Sequence, residues 1–249
     1  MLPTLIFGGT ILFGRTLAKR NAKFSETKEL SASSGDDAVC SLPTPAQTLK
    51  LVETRRSIFT KQYTGRSVNR EIVKEMLDAA RYAPNHHITE PWRFIIFESP
   101  ESKQNVALLL AEMYKKKSRS QGSFKQAKYD KKIKSASKAS HIVAICVKTD
   151  TKSMLMEEVC ATAMAVQNMH LVATAYHVGA YWSSGGVSES TLPPGFQNAP
   201  EMAEFLSQSS PHFDGNTTVC LGWFFIGDCG DATWPAGRRR PIEEKISWA

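Results

Sequence analysis

Residues Ala83–Phe97 read APNHHITEPWRFIIF, and this stretch decides most of what the sequence predicts about the fold. Pro84 predicts the end of a helix, and the apolar run from Arg93 predicts a strand. Between them lies a polar loop with two neighbouring histidines. Neighbouring side chains point apart, and no Cys, Asp or third His stands at ligand spacing, so we expect no metal site. The loop is better suited to presenting amide, imidazole and backbone donors to a ligand.

Helices and strands alternate on both sides of this stretch. Asn69 predicts an N-cap, and Ile72, Met76, Leu77 and Ala80 form one apolar face on the helix that follows it. The predicted helices are Ala46–Arg55, Arg70–Tyr82, a helix opened by Ser99-Pro100-Glu101, and Glu157–His177, and the predicted strands are Arg93–Glu98, His141–Val147 and Thr217–Ile226. This alternation predicts one folded domain over residues 45–249.

The helix predicted over Glu157–His177 is almost free of charge and has no obvious solvated face. Its many alanines allow close helix packing, and Gly179 is expected to close it. A helix that is apolar all round has to be buried on every side. The sequence therefore favours a subunit interface, with a central core helix within one protomer as the alternative.

The chain has 249 residues and a formal net charge of +7. Residues Lys115–Lys138 contain ten Lys or Arg and one acid, Asp130, so this segment carries the whole positive excess. Only Phe124 and Tyr129 are interleaved, which is little for stacking on bases, so we expect no nucleic-acid partner. A solvated helical face and the attraction of a phosphorylated cosubstrate remain as interpretations.

The five cysteines are scattered without a CxxC pair. A disulfide framework is typical of small, cysteine-dense secreted chains, so we expect buried free thiols instead.

Residues 1–44 are predicted to lie outside the domain. The apolar run Leu2–Gly14 is too short for a membrane-spanning helix, and its basic residues follow it rather than precede it, unlike a secretory signal. The segment is closer to an organelle transit peptide, for a mitochondrion or plastid, with a short membrane anchor as the alternative. Ser25–Pro45 reads as a flexible linker.

Three further motifs contain groups that could bind a ligand. Arg55-Arg56-Ser57 follows the first helix, Tyr181–Gly186 reads YWSSGG, and Gly237–Pro241 reads GRRRP. Guanidinium groups bind phosphate through forked donors, and small residues let a backbone approach a flat ligand. Each motif also has a structural explanation: a helix end, a glycine turn and a solvated tail. The GxGxxG, GxxxxGK, GxSxG and HExxH motifs are absent from the sequence.

Taken together and in this order, the motifs RRSI, APNHHITEPWRFIIF, VQNMHLVATAYHVGAYWSSG, LGWFFIGD and GRRRPIEE resemble the nitroreductase family of FMN enzymes, in its compact single-domain branch. The resemblance covers Leu49 to the C-terminus. It implies an α+β fold with a mixed central sheet flanked by helices, in an interlocked homodimer with two FMN at the interface.

The resemblance also assigns roles to individual residues. Arg55, Arg56 and Ser57 would bind the ribityl phosphate and the edge of the isoalloxazine ring. Asn85 and His86 would reach the flavin held mainly by the other subunit. Trp182, Ser183 and Ser184 would line the ring, and Arg239, or its neighbours Arg238 and Arg240, would hold the phosphate.

The implied activity is ping-pong transfer of hydride from NADH or NADPH, through FMN, to small acceptors such as nitroaromatics or quinones. No catalytic side chain is needed for this, because the flavin carries the chemistry. Thr89-Glu90-Pro91-Trp92 is also found in the related iodotyrosine deiodinases, so a flavin-dependent reductive dehalogenase is one alternative. A flavin-binding protein without turnover and a basic interaction module are the others.

Overall fold

The computed structural model describes residues 42–185 and 196–249, and residues Pro43–Ala249 form one compact unit. The predicted targeting segment, apart from its last three residues, and Gly186 lie outside the described residues. The elements in chain order are α1 (Pro45–Thr54), α2 (Arg70–Ala80), β1 (Trp92–Phe97), α3 (Pro100–Ser120), α4 (Gln126–Ser137), β2 (His141–Lys148), α5 (Leu155–Ala175), β3 (Val178–Ser183), α6 (Pro200–Ser209) and β4 (Thr218–Asp228). In the described ranges, no helix is both long enough and apolar enough to cross a membrane.

The four strands form one sheet in the order β1-β2-β4-β3, which confirms the α+β class. Each pairing between these strands is antiparallel. One face of the sheet packs with α2 and α5 through residues such as Met76, Met169 and Phe224. The other face packs with α3 and α6 through residues such as Leu110 and Leu206. The sheet is therefore the centre of the core, with helices on both of its faces.

The helix starts follow the predicted capping signals. The Asn69 side chain accepts a hydrogen bond from the backbone N–H of Glu71 at the start of α2. The Ser99 side chain does the same for Ser102 at the start of α3, where Pro100 occupies the first turn. α6 was not predicted, although Pro200 followed by Glu201 is a typical helix opening.

The end of α5 differs from the prediction. The helix ends at Ala175, and His177, with φ 54°, turns the chain in the left-handed conformation that we expected of a glycine. Gly179 instead lies inside β3, where a Cβ atom would collide with the side chains of Cys229 and Tyr63. This glycine is therefore required by close packing rather than by the helix end.

One face of α5 packs on the core and the opposite face is exposed. Ala161, Ala165 and Met169 are buried against the sheet. Met156, Cys160 and Met164 follow one another at intervals of four residues and are exposed. Cys160 thus departs from the expectation of buried thiols. Within the described part of one protomer, α5 presents an apolar stripe to solvent, the pattern of a helix that lacks a partner there.

The basic segment forms the end of α3 and the whole of α4, packed as a helical hairpin. Phe124 lies between Tyr114 and Tyr129, with ring centroids 6.0 and 6.4 Å away. Arg119 and Lys132 lie over the rings of Phe124 and Tyr114. These rings therefore pack within the hairpin, while most of its cations are exposed.

Candidate functional site

The Arg55-Arg56-Ser57 motif follows the C-terminal end of α1 and is tied to the core on both sides. The backbone N–H of Ile58 donates to the carbonyl of Ala180 in β3, at 3.0 Å. His170 of α5 lies with its Nε2 2.9 Å from the carbonyl oxygen of Arg56. The motif therefore has a fixed backbone, and Ser57, between the anchored residues Arg56 and Ile58, is exposed.

Arg56 uses much of its guanidinium on the chain itself. Its Nη1 donates to the carbonyl of Arg55 at 2.7 Å and to the carbonyl of Glu53, and its Nε donates to the carbonyl of Pro235 at 3.1 Å. Arg56 thus closes the end of α1 and attaches the C-terminal segment to it. Gly237 is needed beside it, because a Cβ atom there would collide with the guanidinium.

This attachment brings Arg239 close to Arg55. Burial, and after it the charges of Arg239 and Arg56, lower the pKa of Arg55 below its usual range. Among the described residues, no carboxylate lies within ion-pair distance of any of the three arginines. The structure thus joins two motifs that lie about 180 residues apart in sequence into one uncompensated cationic cluster, the arginine cluster.

The loop Asn85–Glu90 has an unusual backbone. His87, Ile88 and Glu90 have positive φ angles of 54°, 53° and 43°, a region that non-glycine residues seldom occupy. The Asn85 side-chain oxygen accepts a hydrogen bond from the backbone N–H of Glu90 at 3.0 Å, which closes the loop. Such backbone strain persists only where surrounding contacts hold it, and it clusters at functional sites.

Two glutamates at the start of α5 hold this loop. His86 Nδ1 lies 2.9 Å from a carboxylate oxygen of Glu157. The hydroxyl of Thr89 donates to Glu158 at 2.8 Å, and the hydroxyl of Thr151 donates to the other oxygen of the same carboxylate. Glu158 is only 1% exposed, so its buried carboxyl group depends on these two hydroxyls for hydrogen bonds.

Thr89→Val tests how firmly the loop is held. The substitution removes one donor from the buried Glu158 carboxylate, so we expect the free energy of unfolding to fall by about 1.5–3 kcal/mol. The control is Thr162→Val on α5, which removes a buried hydroxyl that has no hydrogen-bond partner among the described residues. Urea unfolding of both variants gives the comparison. Equal stability of the two variants would contradict the proposed anchoring.

The arginine cluster and the loop lie at opposite ends of α5. His170 contacts the first and Glu157 contacts the second, and thirteen residues of helix separate them, about 20 Å. Within one protomer, the structure therefore does not bring Asn85 and His86 to the arginine cluster.

Trp182, Ser183 and Ser184 lie at the end of β3. The Trp182 indole N–H donates to the carbonyl of Leu221 in β4, at 3.2 Å. Ser183 accepts a hydrogen bond from the N–H of Gly185, and its carbonyl leaves no room for a Cβ atom on Gly222. The edge strand β3 thus ends in small polar groups, and Ser184 is exposed.

Two cavities are lined by residues of the described ranges. One, of about 360 Å³, is lined by Arg93, Lys148, His212 and their neighbours, and the other, of about 480 Å³, lies between α1 and Thr174 of α5. Neither is lined by any of the predicted site residues. No group of three or more His, Cys, Asp or Glu that could hold a metal is present in the described ranges.

His170, Glu157 and Glu158 were not among the predicted site residues. Their signal was available, because they are polar residues in a helix that is otherwise almost wholly apolar. His170 and Glu158 are buried and so require partners, whereas Glu157 is partly exposed. In each case the partner belongs to a predicted motif.

His170 is 7% exposed, and burial, followed by the charge of Arg55, lowers its pKa from 6.5 to about 4. The native ring therefore stays neutral between pH 6.5 and 4, while the unfolded chain takes up a proton. Stability is expected to fall as the pH falls through this window, by up to about 3 kcal/mol.

The variant His170→Gln should flatten this pH dependence. Burial also lowers the pKa of His141, so the informative quantity is the difference between wild type and variant, from unfolding curves at pH 4 to 7. Parallel pH profiles for the two proteins would show that His170 is not the group responsible.

The antiparallel sheet with helices on both faces defines the class of fold, and the arginine cluster lies beside this sheet. Comparison with known proteins identifies the family. The family model described as "Nitroreductase family" matches residues 52–206, which is more than half of the chain. The chain therefore belongs to the nitroreductase family, as the resemblance predicted.

Individual relatives agree with this assignment. YfhC from Bacillus subtilis, provisionally named an NAD(P)H nitroreductase, is 28% identical over 138 residues, which cover 55% of this chain and 69% of YfhC. A nitroreductase-like family protein from Bacillus cereus has a similar structure, with a TM-score of 0.62, 21% identity and coverage of 84% of this chain and 99% of that one. A nitroreductase from Bacteroides fragilis, solved with bound FMN, has a TM-score of 0.58 and 17% identity over 82% of this chain and 98% of that one.

Proposed function

We propose that the protein is an FMN-dependent oxidoreductase that passes electrons from NADH or NADPH to small acceptors such as nitroaromatics or quinones, and that it works as a homodimer. The observation that carries the proposal is the arginine cluster, Arg55, Arg56 and Arg239, without a carboxylate partner in the described part of the chain. Like charges held together favour an anion, and a flavin phosphate is such a group.

The residues present fit this cofactor. Arg55 and Arg239 would hold the phosphate: Arg239 donates only from Nη1, to the Arg238 carbonyl at 2.8 Å, within the described part of the chain. Arg56 mainly orders the backbone around them. Trp182, Ser183 and Ser184, at the end of an edge strand, would line the ring. FMN supplies the redox chemistry when bound, so the protein's part is to place the ring and to stabilise its negative charge.

A homodimer accounts for two features of the single protomer. The exposed stripe of Met156, Cys160 and Met164 requires a partner surface, and the two parts of the site lie about 20 Å apart along α5. Two copies of α5 packed antiparallel about a two-fold axis would cover the stripe. The same packing would bring Asn85 and His86 of one subunit to the arginine cluster of the other.

The C-terminal segment supports an interlocked form of this dimer. Ile242, Ile246 and Trp248 are exposed, and Trp248 is 94% exposed. β1 lies at one edge of the sheet, and among residues 42–185 and 196–249 its outer row of backbone donors and acceptors pairs with no other strand. A tail that carries large apolar side chains beyond the protomer's own core is the part expected to pack on a second subunit.

The dehalogenase alternative finds less support. Its lid would need free acidic, phenolic and cationic groups over the ligand. Glu112 instead accepts hydrogen bonds from the Tyr129 hydroxyl at 2.6 Å and from Lys115 at 3.1 Å, within the hairpin. These groups satisfy one another, so we adopt no second function.

The test of the proposed function uses the purified full chain. The expected protein is yellow, with absorbance at roughly 450 nm where oxidised flavins absorb, and it oxidises NADPH or NADH when a quinone or nitroaromatic is added. Yellow protein without consumption of NADH or NADPH would indicate flavin binding without turnover. Colourless protein that stays colourless after incubation with FMN would exclude the proposal.

A further inference from the structure

We infer that His170 is a positioning residue for the arginine cluster: its Nε2–H holds the carbonyl of Arg56 and so fixes the backbone that presents Arg55 and Ser57 to an anionic ligand. The inference rests on the proposed FMN site and adds a residue to it. His170 itself is buried and would not touch the ligand.

The hydrogen bond has a defined direction. A carbonyl oxygen only accepts, so the Nε2 that lies 2.9 Å from the Arg56 oxygen carries the hydrogen. The lowered pKa agrees with a neutral ring, whose single N–H is then committed to Arg56. The ring is also held from the side by Phe224, whose centroid is 5.3 Å away in an edge-to-face arrangement.

His170 supplies one of two backbone anchors for the motif. The other is the hydrogen bond from the Ile58 N–H to Ala180, on the far side of Ser57. With both anchors present, residues 56–58 are fixed between α5 and β3. Without His170, the chain is anchored to the sheet only after Ser57, and the Arg56 carbonyl is left without this donor.

A neutral residue is required at this position. The groups that face it are the Arg55 guanidinium and the carbonyls of Arg56 and Ala180. A lysine or a protonated histidine would add a further positive charge beneath the arginine cluster. A neutral donor binds the carbonyl without adding charge, so the positive charge of the cluster remains available to attract the ligand.

The test compares FMN with riboflavin, which has the same ring but lacks the phosphate. His170→Phe keeps an aromatic ring and removes the donor, and His170→Gln keeps a neutral N–H donor. Dissociation constants for both flavins are measured on the full chain by quenching of flavin fluorescence. Thr162→Val on the same helix is the control, since its buried hydroxyl makes no hydrogen bond within the part of the chain that the structure describes.

We expect His170→Phe to weaken the binding of FMN about tenfold, which corresponds to the contribution of about one hydrogen bond. The binding of riboflavin should weaken less than about twofold. The dissociation constants of His170→Gln for FMN and for riboflavin should stay within about threefold of those of wild type. In an Arg55→Ala, Arg239→Ala background, His170→Phe should weaken FMN binding by less than about twofold more, because the residue acts mainly through that cluster.

Two results would overturn the inference. Equal weakening of FMN and riboflavin by His170→Phe would indicate a general structural role, and unchanged FMN binding would indicate none. Both leave the proposed function standing. If wild type binds neither flavin, the proposed function fails instead, so the two failures are distinguishable.

Discussion

The double variant Arg55→Ala, Arg239→Ala is expected to bind FMN about 100-fold to 10,000-fold more weakly than wild type. Each guanidinium would lose a charge-assisted contact with the phosphate, worth about 1.5–3 kcal/mol, and a factor of ten in affinity corresponds to about 1.4 kcal/mol. Equilibrium dialysis against FMN, or the flavin content of purified protein, measures the loss.

Arg240→Ala is the matched control for this variant. Arg240 belongs to the same exposed run of arginines, but Arg239 is the one whose charge lowers the pKa of Arg55. The control should keep most of its FMN. Equal loss in the control and the double variant would mean that the tail acts through its total charge rather than through Arg239.

The double variant should also show that the cluster serves ligand binding and not the stability of the fold. Because Arg239 and Arg56 lower the pKa of Arg55, the protein without flavin carries a repulsion between these residues. Removing two of the three charges should leave the melting temperature of the flavin-free protein unchanged or raised. A clear decrease would mean that the arginines stabilise the fold itself.

Met164→Glu is expected to dissociate the dimer and release the flavin in one step. Met164 is 39% exposed in the protomer and forms the C-terminal end of the apolar stripe of α5. In the proposed dimer, this substitution buries two unpaired carboxylates. Each costs several kcal/mol, so the dissociation constant of the dimer should rise by at least about 1000-fold.

Leu108→Glu is the matched control, since Leu108 is 40% exposed but lies on α3, away from the stripe. Light scattering on a sizing column, together with the ratio of flavin to protein absorbance, reports both properties. The proposed dimer predicts a colourless monomer for Met164→Glu and a yellow dimer for Leu108→Glu. A yellow, dimeric Met164→Glu protein would place the interface elsewhere.

Local signals in the sequence predicted much of the fold. Asn69, Ser99 and Pro100 start helices where capping chemistry requires, because a cap depends on residues only three or four positions away. The end of α5 was predicted wrongly, because His177 adopts a positive φ that the sequence alone gave no reason to expect. α6 was overlooked although it has its own opening signal at Pro200.

The site was harder to predict than the fold. Arg55 and Arg239 were each identified as ligand-binding candidates, but their proximity depends on the contact of Arg56 with Pro235 and on the space beside Gly237. Such contacts join distant parts of the chain and leave no local pattern. His170 does stand out as a polar residue in an otherwise apolar helix, but its partner, the Arg56 carbonyl, lies 114 residues away and could not be assigned from the sequence.

The placement of the arginine cluster and the loop at opposite ends of α5 has a genetic consequence for the proposed dimer. A protomer with a defective cluster and a protomer with a defective loop could complement each other. Their mixed dimer would contain one wholly intact site, formed by the sound half of each chain, and one site with both defects. Co-expressing two inactive alleles should therefore restore flavin binding and turnover to part of the population, up to one site in each mixed dimer.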